Sequence, residues 1–433
     1  ERNNVKQAER VMPTQHKKGK KNVHKKHVSQ HANYHQEPSP MKLRARENTP
    51  RRPTILVAGC GFGGLEAAVL LKKKLGENAR IICLDRKKHH TYYGAIFELL
   101  QKGVVPENLH TYYARVFPPR GISFYRREIV GLDTRQRKVI TNKEAFPYDY
   151  LILNFGSEPC TYNIPGSQNA IPVKSVSCIE LLQQRVRERL DHYQRFGRFA
   201  QEGDSTIVMV GGGISGIEVM AELHYYLRAE CTKYGADPAL FKLVLVERAP
   251  FVAPLFSPPC RKKVARHLRR LGITIHTSVA VTSVTKTKVH LSDGTAILAG
   301  VVLWAAGLKP ARVCTKLSLP LDSHGALIIR PDLRVEGQTR VYACGDCTSF
   351  QPKPLPKLAT VALEQGRLIA KNIVRDIAGK PLKPYTPPVH YLVIIHLAGR
   401  QALLVKGNVT WQGNIPYLLK KKLGEAYLHR YDA

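Results

Sequence analysis

Acidic residues are scarce in this chain. It has 33 Asp and Glu against 67 Lys and Arg in 433 residues, a formal charge of +34. A surplus of that size favours anionic partners such as nucleic acid, a membrane surface or phosphorylated ligands, and says nothing about fold. Cysteine is sparse too. Nine residues, an odd number, are too thinly spread for a disulfide scaffold. No apolar signal-peptide core follows the basic N-terminus, so a reducing compartment is expected. Long apolar runs are also missing. The best candidate, residues 54–71, is interrupted by glycines and Glu66 and falls short of the ~20 apolar residues a spanning helix needs. What remains is ordinary: 43% hydrophobic residues exclude wholesale disorder and fibrous classes, and the length suggests two or three domains.

Residues 1–53 stand apart, with 14 Lys or Arg, 4 Asp or Glu and few apolar residues. Such a segment buries too little surface to offset its ordering entropy, so a disordered basic tail is expected. It has no aromatic beyond Tyr34 to stack on bases, and no specific nucleic acid is expected as a partner. From Thr54 the pattern changes to short apolar strands alternating with helices, which predicts parallel sheets. Strands are expected over 54–58 and 80–84 with a helix over 65–75 between them. A second unit of the same kind starts with a strand over 206–210, a helix from Ile217 and a strand over 243–246. A last helix is expected near 416–431.

Each unit carries a glycine-rich turn between its strand and its helix. The first is Gly59-Cys60-Gly61-Phe62-Gly63-Gly64, with Asp85 ending the next strand 21 residues beyond Gly64. The first glycine permits the tight turn, the second admits a pyrophosphate to the backbone, and the third lets helix and strand pack closely. The helix N-terminus then offers free N–H groups and a positive dipole end. An acid about 20 residues on holds a ribose. The second turn is Gly211-Gly212-Gly213-Ile214-Ser215-Gly216, with Glu247 ending its following strand. Glu247 favours NADH over NADPH, because a carboxylate repels a 2′-phosphate; Arg248 beside it works against that preference. Two such units in one chain predict FAD in one and NAD(P) in the other.

With these motifs the chain resembles the two-dinucleotide-binding-domain flavoproteins, and within them the type II NADH dehydrogenases, single-subunit NADH:quinone oxidoreductases. The resemblance covers about residues 54–430. It also rests on Tyr148–Gly156, on Val302-Leu303-Trp304-Ala305-Ala306-Gly307, on Val341–Asp346 and on Pro356–Gly366. It implies an α/β fold with two Rossmann-like domains and a small C-terminal α/β segment. The FAD domain would comprise residues 54–160 and 309–385, the inserted NAD(P)H domain 161–308, and the C-terminal segment 386–433. It implies non-covalent FAD, with Gly156, Gly345 and Asp346 joining the first turn and Asp346 holding the ribityl chain. Gly307 would join the second turn around NADH. Glu218 and Gln365 are implied near the reacting rings, and Thr360, Glu364 and Gln365 beside a quinone. Of those last three only Gln365 matches the family's glutamines, and Asn154-Phe155-Gly156 replaces its usual Ala-Thr-Gly.

The implied reaction takes a hydride from NADH and passes electrons to quinone, without proton pumping. Alternatives are another acceptor, sulfide:quinone-like or protein, and a non-enzymatic flavoprotein sensor or interaction module. Sulfide:quinone oxidoreductases need a late cysteine, and none follows Cys347. Cys344 and Cys347 straddle the ribityl motif, so their spacing reads as packing, with a redox pair as the alternative. One pair is too little for zinc, and no metal is expected. A lipid-borne quinone implies peripheral attachment to the cytoplasmic face of an anionic membrane, with a homodimer left open. On a helix begun near Trp411, residues Trp411, Ile415, Leu418, Leu419, Leu423, Ala426 and Tyr427 share a side that would face lipid.

Overall fold

The computed structural model describes residues 52–351 and 353–431. The expected tail lies outside the described residues, save Arg52 and Pro53. Along the chain, β1 (Thr54–Ala58) feeds α1 (Phe62–Leu75), followed by β2 (Arg80–Asp85), β3 (Ser123–Arg126) and β4 (Tyr150–Leu153). A second run then begins with β5 (Ile171–Pro172), α2 (Val176–Phe196), β6 (Thr206–Val210) and α3 (Ile214–Lys233). It continues through β7 (Lys242–Glu247), α4 (Pro258–Arg270), β8 (Thr274–Thr277) and β9 (Val301–Trp304). The chain returns with β10 (Val341–Ala343) and α5 (Ala359–Ile377). It ends in β11 (Leu392–His396), β12 (Ala402–Lys406), β13 (Val409–Gly413) and α6 (Asn414–His429).

Two parallel five-stranded sheets organise these elements. Their strand orders are β10-β4-β1-β2-β3 and β5-β9-β6-β7-β8. Both follow one plan, with the strand that precedes the glycine-rich turn at the centre. Ile55 lies opposite Ile81 and Tyr150; Ile207 lies opposite Leu243 and Val301. The central strands are buried almost throughout, as expected where helices cover both faces of a parallel sheet. The chain passes between the sheets on a two-stranded antiparallel ribbon, Ser157–Pro159 against Leu308–Pro310.

The helices α1 and α3 start three residues before the expected Leu65 and Ile217. Glycine weakens a helix interior, but here tight packing decides. A Cβ on Gly64 would sit 2.1 Å from the Gly59 carbonyl oxygen, and one on Gly216 2.1 Å from that of Gly211. The third glycine of each turn therefore belongs inside the helix that crosses its strand. The C-terminal strands form an antiparallel meander, β11-β12-β13. Trp411 lies in β13 and α6 begins only at Asn414, which corrects the helix expected from Trp411. No helix among the described residues is long and apolar enough to cross a membrane.

Candidate functional site

The two glycine-rich turns are wired alike. Gly59 has φ +92° and its N–H donates to the Leu84 carbonyl at 2.8 Å; Gly211 has φ +105° and donates to the Val246 carbonyl at 2.8 Å. Only glycine accepts such a φ easily. The acid at the end of the next strand then returns to the turn. Asp85 accepts the Cys60 N–H at Oδ2 and the Lys87 N–H at Oδ1, both at 2.8 Å. Glu247 accepts the Gly212 N–H at Oε2, 2.7 Å, and the Ala249 N–H at Oε1, 2.8 Å. Burial pushes the Asp85 carboxyl up from the ordinary aspartate range, and the two N–H donors pull against that.

Both helices begin open. Neither α1 nor α3 has a capping bond from its N-cap side chain or an acid in its first turn. The first-turn N–H groups of Phe62, Gly63, Ile214 and Ser215 have no acceptor within their helices, and the positive dipole end favours an anion there. A Cβ on Gly213 would meet nothing within 4 Å. The donor set fits the pyrophosphate of a dinucleotide at each turn.

The second part of the first cradle comes from the return of the chain. Gly345 has φ +78°. Its N–H donates to Gln365 Oε1 at 2.8 Å, and Gln365 is buried. Gln365 thus ties α5 to the loop that carries Asp346. The Asp346 carboxylate accepts the Ser157 hydroxyl at 2.7 Å, with Lys174 Nζ 3.9 Å away, while Lys357 Nζ donates to the Asp346 carbonyl at 2.8 Å. Asp346, Phe350, Leu355, Lys357, Val361 and Gln365 line a small cavity at the start of α5. Thr360 is exposed, and Glu364 accepts the Tyr385 hydroxyl at 2.8 Å. The structure thus sets Thr360 and Glu364 apart from Gln365, whose side chain points to Gly345. Gly156 and Gly307 both have positive φ, +69° and +154°, and flank the ribbon between the sheets.

Asn154, a departure from the family pattern, turns out to be central. Its Oδ1 accepts the Gly64 N–H at 3.0 Å, and its Nδ2 donates to the Cys344 carbonyl at 2.9 Å. One buried side chain therefore joins the first glycine-rich turn to the Asp346 loop. Sequence reasoning flagged Asn154 only as a mismatch. Cys344 and Cys347 are both free and buried; Asn154 Nδ2 lies 3.4 Å from the Cys344 sulfur, and burial pushes that thiol up.

Glu218 is 5% exposed. It accepts the His396 N–H from β11 at 2.9 Å and the Lys420 ammonium from α6. One turn further along α3, Glu222 Oε2 lies 2.5 Å from His396 Nε2. Glu66, not singled out from the sequence as a site residue, holds the same place in the first unit, two residues past the third glycine. It is 4% exposed, and its Oε1 accepts Arg367 and Arg430, each at 2.7 Å. Its Oε2 accepts the Tyr431 hydroxyl at 2.7 Å. The C-terminal segment therefore grips equivalent glutamates on both dinucleotide helices. Tyr427 joins this inner face. Its ring lies 5.2 Å from that of Phe62. Its hydroxyl shares a 2.9 Å hydrogen bond with His90 Nε2, of an imidazole that burial lowers to about 3 and so keeps neutral. This corrects the placement of Tyr427 on a lipid-facing side. Lys420, Gly424, Tyr427 and Tyr431 form the inward stripe, and Ile415, Leu418, Leu419 and Leu423 are exposed.

Known proteins agree with this geometry. The family model for pyridine nucleotide-disulphide oxidoreductase matches residues 53–366. A type II NADH:quinone oxidoreductase of Staphylococcus saprophyticus is 26% identical over 343 residues, covering 77% of this chain and 85% of that protein. Among solved structures, NDH2 from Plasmodium falciparum in complex with NADH superposes with a TM-score of 0.78 at 16% identity, covering 87% of this chain and 95% of the other. The sulfide:quinone oxidoreductase of Aquifex aeolicus gives 0.75 at 17% identity, covering 88% and 91%. Two open helix N-termini, each backed by a half-buried acid, and one family model matched across most of the chain place this chain in the pyridine nucleotide-disulphide oxidoreductase family.

Proposed function

We propose that the protein is an FAD-dependent NADH dehydrogenase that passes electrons to a quinone. The paired cradles, built to one plan in two units of one chain, are the observation that carries this reading. The name of the Staphylococcus relative supports the donor and the acceptor. FAD supplies the two-electron exchange, taking electrons from NADH and giving them to the acceptor. The chain supplies binding and orientation. The FAD domain comprises 54–160 and 309–385, with the NADH domain, 161–308, inserted. The α1 turn and Asp85 hold the FAD pyrophosphate and ribose, and Asp346 the ribityl chain. The α3 turn holds the NADH pyrophosphate. Glu218 and Gln365 orient the parts around the reacting rings, and the cavity at the start of α5 is the side from which quinone is served.

The test is direct. The purified protein should carry about one FAD per chain. NADH should bleach it anaerobically, and a soluble quinone should restore the colour. A colourless chain that takes up no FAD overturns the assignment, and a reduced flavin that quinone leaves unchanged overturns the acceptor.

NADH should be preferred over NADPH by about tenfold or more, because Glu247 stands where a ribose 2′-phosphate would lie. Arg248 is drawn toward the Tyr162 ring, 6.0 Å from its centroid, which weakens its claim on that phosphate. Glu247→Gln should narrow the preference in kcat/KM. Equal efficiency of the wild type with both nucleotides would defeat this expectation.

Peripheral attachment to the cytoplasmic face of a membrane completes the proposal. The exposed apolar side chains of α6 would enter the boundary between headgroups and acyl chains.

A further inference from the structure

We propose that α4 of the second unit is a cationic second foot on the membrane, binding the phosphate headgroups of anionic lipids beside the apolar C-terminal segment. The inference rests on the peripheral attachment proposed above and adds a site that the C-terminal segment does not contain. The sequence of α4 carries Arg261, Lys262, Lys263, Arg266, Arg269 and Arg270 and no acid. Cys260, Val264 and Leu268 are buried and face the core. Lys262, Arg266, Arg269 and Arg270 are exposed, and their spacing puts them on one stripe of the helix. Among the described residues none of the four has an ion-pair partner. Like charges at this spacing repel. Complementing the helix dipole accounts for Arg269 and Arg270 in the last turn, but not for Lys262 in the first half of the helix or for Arg266, which precedes the last turn.

The position of α4 supplies the second observation. Lys263 Nζ donates to the Thr410 hydroxyl at 2.8 Å and to the Thr410 carbonyl at 3.1 Å. Thr410 belongs to β13, an edge strand of the C-terminal meander. Its neighbours Val409 and Trp411 are exposed, and the chain continues directly into α6 with exposed Ile415, Leu418, Leu419 and Leu423. His267, one turn along α4 from Lys263, bonds the Leu397 carbonyl at 2.7 Å and fixes the helix against the same segment. α4 therefore lies against the Thr410 face of β13, while Val409 and Trp411 project from the opposite face of the same strand, so the basic stripe and the apolar strip, which carries a tryptophan, flank one strand at the rim of the meander. Apolar side chains enter a bilayer interface, cations meet its phosphates, and tryptophan prefers the headgroup level. A nucleic acid would use the cations and leave the apolar strip uncovered. α4 also has no Phe, Tyr or Trp on which a base would stack, and its one imidazole, His267, is bonded to the Leu397 carbonyl. Two separated contacts, one on each side of the Lys263–Thr410 bond, would set the orientation of the protein on the surface as well as its affinity.

Each Lys or Arg near an anionic surface raises partitioning about fivefold. The experiment compares the wild type with the quadruple variant K262Q/R266Q/R269Q/R270Q. All four residues are exposed and lie outside the dinucleotide cradles, so flavin content and turnover with a soluble quinone should be unchanged. Co-sedimentation is measured with vesicles of phosphatidylcholine alone and with vesicles containing phosphatidylglycerol, across a salt series. The expected result is an affinity loss of about 30-fold or more on the phosphatidylglycerol vesicles, with a flatter salt dependence. Binding to pure phosphatidylcholine should be equal for the two proteins. Equal binding to phosphatidylglycerol vesicles with the same salt slope overturns the inference and leaves peripheral attachment standing. A second variant, L418S/L419S/L423S, should weaken binding to both vesicle types. If the wild type sediments with neither vesicle, attachment itself fails. Single-stranded RNA that strips the wild type from phosphatidylglycerol vesicles, but does not bind the quadruple variant, would assign the stripe to nucleic acid and also overturn the proposal.

Discussion

Gly366→Ala should give a protein that loses its flavin on purification and is destabilised by about 3 kcal/mol or more, at the upper end of overpacking penalties. A Cβ at Gly366 would lie 2.2 Å from the Gly63 carbonyl oxygen, 2.9 Å from its carbon and 3.0 Å from its Cα. All three are backbone atoms, so no side chain can swing aside. A Cβ on Gly63 would in turn lie 2.6 Å from the Cys344 sulfur and 2.7 Å from the Ala362 carbonyl oxygen. The start of α1, the middle of the first turns of α5 and the Cys344 loop thus meet with no room for a methyl group. Relief requires α5 to move away from α1. That movement pulls on the bond from the Gly345 N–H to Gln365, and with it on the loop that carries Asp346. Flavin absorbance per chain and a denaturant titration check both parts. Full flavin content with unchanged stability would show that the crossing is looser than the structure has it.

Lys420→Met should cost about 2–3 kcal/mol and slow flavin reduction by NADH. Removing one member of a buried ion pair leaves the other charge uncompensated, at about 3–5 kcal/mol when both are fully buried. Here the Lys420 side chain is 15% exposed, so the penalty is discounted for solvent. Glu218 would keep only the His396 N–H as a donor in hydrogen-bond contact, and the Ile394 carbonyl would lose Lys420, now 3.0 Å away. A double-mutant cycle separates the causes. Lys420→Met combined with Glu218→Gln should recover at least about 1 kcal/mol of the single loss. If the two losses simply add, the pair is not the source of the effect.

The same geometry bears on how membrane attachment is best tested. Ending the chain at Gly413 would remove Lys420 from Glu218, and Arg430 and Tyr431 from Glu66, in one step. It would also bare the Phe62 ring at the first glycine-rich turn. Loss of binding in such a truncation would report on damage to both dinucleotide helices as much as on lost lipid contact. Substitution of the exposed leucines avoids this, because none of them belongs to the inward stripe.

What the sequence by itself determined is the local chemistry. Each glycine-rich turn, its strand, its helix and its acid lie within one short stretch of chain, and backbone sterics allow such a stretch few conformations. Asp85 and Glu247 were therefore legible, and the alternation of apolar strands with helices gave the parallel sheets. Tertiary structure decided everything that depends on segments far apart in sequence. Asn154 reaches Gly64 across 90 residues, and Glu66 meets Arg367, Arg430 and Tyr431 across more than 300. No spacing rule links such residues, because what joins them is burial: a polar group removed from water must find a partner wherever the fold supplies one. The same reason explains α6. Periodicity alone grouped Tyr427 with the exposed leucines, because a helical wheel shows which residues share a side but not what lies opposite each one. The cleft beside Phe62 and His90 drew Tyr427 inward, and left Leu418, Leu419 and Leu423 outside.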